Sequence, residues 1–259
     1  MTLPELLSDD EPEPAAVVNP DGASPFVLIG DHGGRRVPQA LAQLGLPEAE
    51  LGRHIGWDIG VTALGEALSA RLDAVFVHQR YSRLVIDCNR APDAADAMPE
   101  VSDGTVVPGN RDLSAAARAR RVEAVHRPYH ATIAHLLTTR HGAGRPALVA
   151  LHSFTPVMKG FARPWHCGIL HDGANEALGL ELLKLLKSEG DLVVGDNQPY
   201  AMDGIDYTVP RHAFALRLPY AEIEVRQDPL ADATGIAHWA DRLARLLPQA
   251  LDLVRARAT

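Results

Sequence analysis

The sequence predicts a three-layer α/β/α fold, with a mostly parallel or mixed central sheet covered by helices on both faces. Three observations carry that expectation. Short apolar runs rich in strand formers alternate with long segments of helical spacing, which is the pattern of a sheet buried under its own crossover helices. The chain has 259 residues and 46% apolar content, enough for one large core. No internal repeat and no linker interrupts it, so residues 21–259 read as a single domain.

The elements follow in order. Residues 1–20 are acidic and proline-rich and read as a flexible N-terminal arm, without the basic region and apolar run of a secretory signal. The first strand is "FVLIG" (26–30), which runs straight into "DHGGRRVP". A helix is expected over 58–72, then strands "AVFVHQ" (74–79) and "RLVIDC" (83–88). Residues 91–112 read as a long loop near the site. A long helix follows over 114–140, with Ser114 as its cap. Strands "ALVALHSF" (147–154) and "CGILHD" (167–172) lead to a helix over 175–190 that stops at Gly190. Strands "DLVVGD" (191–196) and "AEIEVRQD" (221–228) and a helix over 235–254 complete the chain.

Composition removes several classes of function. A net charge of −8 argues against a nucleic-acid-binding surface, which is normally basic. No stretch approaches the roughly 18 apolar residues of a membrane span. Two cysteines, Cys88 and Cys167, lie far apart with no paired metal spacing and fit a reducing cytoplasm. Cys167 has no evident base beside it and reads as packing.

Sheets of this kind place ligands at the carboxyl ends of their strands. There the sequence puts His32, Asn89-Arg90, His152-Ser153, His171-Asp172, Asp196-Asn197 and Glu224. His32, Asp58 and His152 match the donor types of a mononuclear zinc site with a position left for water. Gly33 and Gly34 would let the backbone approach metal and substrate closely. Glu224 would take a proton from water and pass it to the leaving nitrogen. Other roles compete: Asp58 as an acid at a helix start, His152 as a core histidine, and Glu222, on the same strand face, in place of Glu224.

"DHGG", "SRLVIDCNR", "LHSF", "GDNQPY" and "EIEVRQD" come in the order seen in the N-formylglutamate amidohydrolase family, and the resemblance covers about residues 26–250. The family's fold is similar to that of zinc carboxypeptidases and zinc-dependent muramoyl-alanine amidases. The resemblance implies one zinc ion per chain on His32, Asp58 and His152, with Glu224 as base. The carboxypeptidase pattern has a glutamate three residues after its first histidine; here that position is Arg35, so the acidic ligand must come from elsewhere, and Asp58 resembles the later acidic ligand of the amidases. Asn89 and Arg90 resemble the carboxypeptidase pair that holds a free carboxylate, by a fork that suits Arg. Arg83 would stabilise the oxyanion or, equally, stand as a surface arginine. Asn197, Tyr200, Arg211, His212 and Arg226 are candidates for a second anchor. His130 would be a pocket wall, and His126, four residues earlier, an ordinary neighbour.

The implied reaction removes a formyl or other small acyl group from an N-acyl amino acid. N-formyl-L-glutamate would give glutamate and formate, the last step of one route of histidine breakdown. The alternatives are another N-acyl amino acid or small peptide on the same zinc site, or a non-catalytic binding protein on this fold. The expected partner is a small molecule only, and the sequence leaves the oligomeric state open.

Overall fold

The computed structural model describes residues 5–141, 145–172 and 175–258. Seven strands form one sheet: β1 (Ala15–Val18), β2 (Phe26–Gly30), β3 (Val75–Gln79), β4 (Ala147–Phe154), β5 (Cys167–Leu170), β6 (Val194–Asp196) and β7 (Tyr220–Arg226). Their order across the sheet is β1-β3-β2-β4-β7-β5-β6. The sheet is mixed: β3, β2, β4 and β7 run parallel, β1 and β3 are antiparallel, and β7 meets β5 antiparallel.

Burial on both sides explains why the central strands read as unbroken apolar runs. One face carries Phe26, Leu28, Val149, Leu151, Ala221 and Ile223 into a core with helices α1 (Val61–Leu72), α3 (Ala177–Ser188) and α4 (Ala233–Ala258). The other carries Val27, Ile29, Leu148, Ala150 and Tyr220 into a core with helix α2. α2 runs from Ala115–Arg121 through a π-helical turn, Val122–His126, to Arg127–His141, and the Ser114 hydroxyl accepts from Ala117 N at its start. The result is the expected three-layer arrangement.

On the α2 face the side chains change character toward the carboxyl ends. β4 presents Leu148 and Ala150, then His152; β7 presents Tyr220, then Glu222 and Glu224. Period-two alternation thus turns an apolar stripe into a polar one without leaving the strand, and this places the site.

Two stretches differ from expectation. Within the segment expected as a loose arm, Ala15–Val18 adds an edge strand along β3, from Ala15↔Gln79 to Val18↔Phe76. Leu6 is buried, and Tyr81 donates to Pro12 O. The edge of β3 needs hydrogen-bond partners, and "AAVV" supplies a short strand inside the acidic sequence. "RLVIDC" forms turns instead of a strand: Val85 N bonds Ser82 O, and Asp87 N bonds Ala97 O. Its apolar centre, Leu84-Val85-Ile86, enters a separate cluster with Leu44, Leu51 and Tyr81, so burial alone accounts for the apolar run. Among the described residues no helix is long and apolar enough to cross a membrane.

Candidate active site

The carboxyl ends of β2, β4 and β7 border a cavity of about 370 Å³. His32 follows β2 directly. Asp58 is tied to it through the backbone, with Asp58 N donating to His32 O at 2.9 Å. Gly60, in the left-handed region at φ 85°, occupies the cap position of α1 and makes no side-chain cap. The Asp58 carboxylate is therefore free of capping duty and turns inward. Its Oδ2 lies 3.3 Å from His32 Nδ1 and 3.0 Å from His152 Nδ1. One donor atom from each of the three residues falls within 4.8 Å of the others, and all three are buried.

The glycines after His32 serve packing. A Cβ on Gly33 would stand 2.7 Å from the Thr62 hydroxyl, and one on Gly34 only 2.1 Å from Arg80 O. The close approach that the structure shows is to α1 and to the chain after β3.

Each imidazole is backed by a carboxylate on its far nitrogen. His32 Nε2 donates to Asp87 Oδ1 at 2.7 Å, and His152 Nε2 lies 3.6 Å from Asp31 Oδ2. This is the outer-shell arrangement of ligating histidines, where the carboxylate fixes the tautomer and leaves the facing nitrogen for the metal. The donor set thus fits a divalent ion that accepts nitrogen and carboxylate ligands. Burial alone would raise the Asp58 carboxyl, but His32, His152 and Arg83 outweigh it and hold it well below the usual carboxylate range. Burial also opposes charge on His152, and the facing Asp31 and Asp58 overcome it and push its pKa up. The local field is one that stabilises positive charge.

Asp87 also receives Arg83, through Nε at 3.1 Å and an Nη at 2.7 Å, while the other Nη is 3.3 Å from Asp58 Oδ1. An Asp87→Ala substitution should therefore weaken metal retention by about ten- to a hundredfold. Titration with a competing chelator measures this, and unchanged retention would reduce Asp87 to a partner of Arg83 alone.

Glu224 pairs in register with His152 across β7 and β4, and Glu222 sits two residues deeper opposite Ala150. Both line the cavity, and each has one carboxylate oxygen without a hydrogen-bond partner. Burial pushes Glu224 up to about 7 and Glu222 up to about 8.

A sequence model of the N-formylglutamate amidohydrolase family matches residues 24–231, a span that contains every residue of this cluster. The chain belongs to that family. A gene product of Agrobacterium tumefaciens of known structure is similar at 34% identity, with a TM-score of 0.92 over 97% of this chain and 100% of that one. The N-formylglutamate amidohydrolase of Ralstonia eutropha JMP134 shares the fold at 22% identity, with a TM-score of 0.69 over 95% of this chain and 99% of that one. No curated protein sequence matches. As a member of the family, the chain is an amidohydrolase.

The remaining family-motif positions divide into cavity residues and braces. Asn89, Arg90 and Tyr200 line the cavity. The Asn89 amide is already occupied: Oδ1 accepts from Tyr207 N and Thr208 N, and Nδ2 donates to Asp206. Arg90 is held by Asp96 at 2.9 Å and Asn89 O at 2.8 Å.

The structure does not bring His130, Asn197, Arg211, His212 or Arg226 to the cavity. His130 donates to Cys88 O and accepts from His212, a buried pair that burial pushes down to about 3 and about 4. Asn197 clamps the ends of β5 and β6 through both backbone groups of His171. Arg211 is exposed and lies over Tyr207. Arg226 grips Asp228 at the end of β7. Of the residues around the site that were not singled out from sequence, Asp31 and Asp87 stood inside the quoted "DHGG" and "SRLVIDCNR" stretches, whereas His54 carried no local signal.

Proposed function

We propose that the chain is a metal-dependent amidohydrolase that removes a formyl or other small acyl group from an N-acyl amino acid, with N-formyl-L-glutamate as the leading substrate. The observation that carries this reading is the convergence of His32, Asp58 and His152 beside an unpartnered Glu224 in one cavity. Under this reading the two Nδ1 atoms and the Asp58 carboxylate would hold one zinc ion. When bound, such an ion supplies Lewis-acid polarisation of the scissile carbonyl and makes water nucleophilic near neutral pH.

The chain's own groups do the rest. Glu224 removes the proton of the attacking water, and its burial-raised pKa near 7 suits a group that must both accept and return a proton. It then delivers that proton to the leaving nitrogen as the C–N bond breaks, giving the amine and formate. Arg83 has two of its nitrogens on Asp87, and its remaining Nη, beside Asp58, is the donor for the developing oxyanion. Arg90, steadied by Asp96, takes the α-carboxylate of the substrate. A place at the end of histidine breakdown and a cytoplasmic location belong to the same reading, the latter supported by two free, buried thiols.

The direct test is amine release from a panel of N-formyl and N-acetyl amino acids by the zinc-loaded protein. Release from N-formyl-L-glutamate is expected. No release from any member would overturn the reading in favour of a binding protein.

A further inference from the structure

β4 delivers His152 to the site, and the chain then continues through Phe154 into a hairpin formed by Val157–Met158 and Phe161–Ala162. The wall it builds there is apolar. Phe154 and Met158 line the cavity, as do Tyr200 and Ile205 from the loop after β6. The hairpin turns at Lys159-Gly160, both in the left-handed region at φ 49° and 79°, which a two-residue turn requires. Its register sets Met158 directly opposite Phe161. Cross-strand partners share one face of a hairpin. Phe161 therefore stands on the face that Met158 turns to the cavity.

These side chains are left in water. Phe161 is 60% exposed, Ile205 51% and Tyr200 42%. Apolar residues scattered singly over a surface need no partner, but several gathered at a cavity mouth mark a ligand groove. The groove is also set in advance. The Arg163 guanidinium lies 4.9 Å from the ring centre of Tyr200 and 5.7 Å from that of Phe154, and it donates to Tyr200 Oη at 3.0 Å. Rings held in this way lose little freedom when a ligand covers them. Size points the same way. A cavity of about 370 Å³ falls in the range that takes drug-sized ligands, whereas the acyl end of an N-formyl amino acid is a single carbon.

We infer that Met158, Phe161, Tyr200 and Ile205 form an acyl groove, and that the protein also hydrolyses N-acyl amino acids whose acyl group is an apolar chain of several carbons. This rests on the amidohydrolase reading and extends it beyond small acyl groups. The amino-acid half keeps its α-carboxylate on Arg90, and the acyl chain follows the wall that continues from His152. Burial of that chain against the exposed rings and Ile205 removes apolar surface of both partners from water. The bond chemistry is unchanged. The oxygen of water joins the acyl carbon, the C–N bond breaks, and the nitrogen takes a proton. The products are the free amino acid and an aliphatic carboxylate.

The test is kcat/KM across N-formyl-, N-acetyl-, N-butanoyl- and N-hexanoyl-L-glutamate, which differ only in the acyl group. A fully buried methylene is worth about fourfold, and one left half in water about twofold. Wild type should therefore favour hexanoyl over acetyl by about ten- to a hundredfold. Phe161→Ser and Ile205→Ser should each lower that ratio severalfold, and together bring it near one. Both side chains are more than half exposed, so neither change threatens the fold. A flat series in wild type, or a full preference surviving in the double variant, overturns the groove. Calorimetry with N-hexanoyl- and N-acetyl-L-glutamate separates this proposal from the one beneath it. An inactive protein that binds the hexanoyl compound more tightly, and loses that preference in the double variant, keeps the groove and loses the amidohydrolase reading. An active protein indifferent to acyl length does the reverse.

Discussion

Replacing His32 or His152 by alanine will strip the metal and lower turnover by about 10³-fold or more while the fold persists. Each change removes one of only two nitrogen donors and leaves Asp58 facing a half-site. Lewis-acid polarisation contributes several kcal/mol, and each 1.36 kcal/mol is a factor of ten in rate. Folding should survive because both side chains line the cavity, outside the apolar clusters on either face of the sheet. Elemental analysis and circular dichroism check the two halves of this expectation. Wild type that keeps its full rate after exhaustive chelation would dismiss metal chemistry here, whatever the variants do.

Glu224→Gln should cut turnover by about 10² to 10⁴-fold while metal content stays at wild-type level, the usual loss for a missing general base. Glutamine preserves shape and leaves the facing His152 in register, so KM should move little. Glu222→Gln is the matched control. Glu222 lies opposite Ala150 and Leu170 with its Oε1 3.9 Å from His152 Nε2, the nitrogen turned away from Asp58, and its loss should cost less than that of Glu224. An active Glu224→Gln beside an inactive Glu222→Gln would exchange the two roles.

The sheet was legible because its strands are buried on both sides, and unbroken apolar runs between helical periods have few other uses. The same principle misled at 83–88. Leu84, Val85 and Ile86 are buried, yet Arg83 and Asp87, four apart, grip each other and hold the segment in turns. The gathering of His32, Asp58, His152 and Glu224 at one cavity could be anticipated because polar residues ended apolar strands at the edge where such sheets bind. Reading which motif residues touch a ligand was harder. Asn197, His212 and Arg226 have the chemistry of binding residues, but their partners are backbone, another histidine and a neighbouring aspartate. In "FARPWHCG" Arg163 resembles any hairpin arginine, and only the tertiary fold stacks it on Tyr200 and Phe154.

The backbone bond from Asp58 to His32, and the facing of Asp58 and His152, also bear on how the molecule assembles. His32 and Asp58 are 26 positions apart, and Asp58 and His152 are 94 apart. Glu224 joins them only after β5, α3 and β6 have been laid down and β7 has slotted between β4 and β5. Contacts of such separation are reached late, since the chain must close long loops before they reward it. A half-collapsed chain therefore does not bring the three donors and Glu224 together, and an ion held among them is a ligand of the folded domain. By linkage, such a ligand at about a thousand times its Kd adds roughly 4 kcal/mol to the folded state. Occupancy of the donor set and resistance of the whole domain to unfolding are thus one thermodynamic quantity read in two ways.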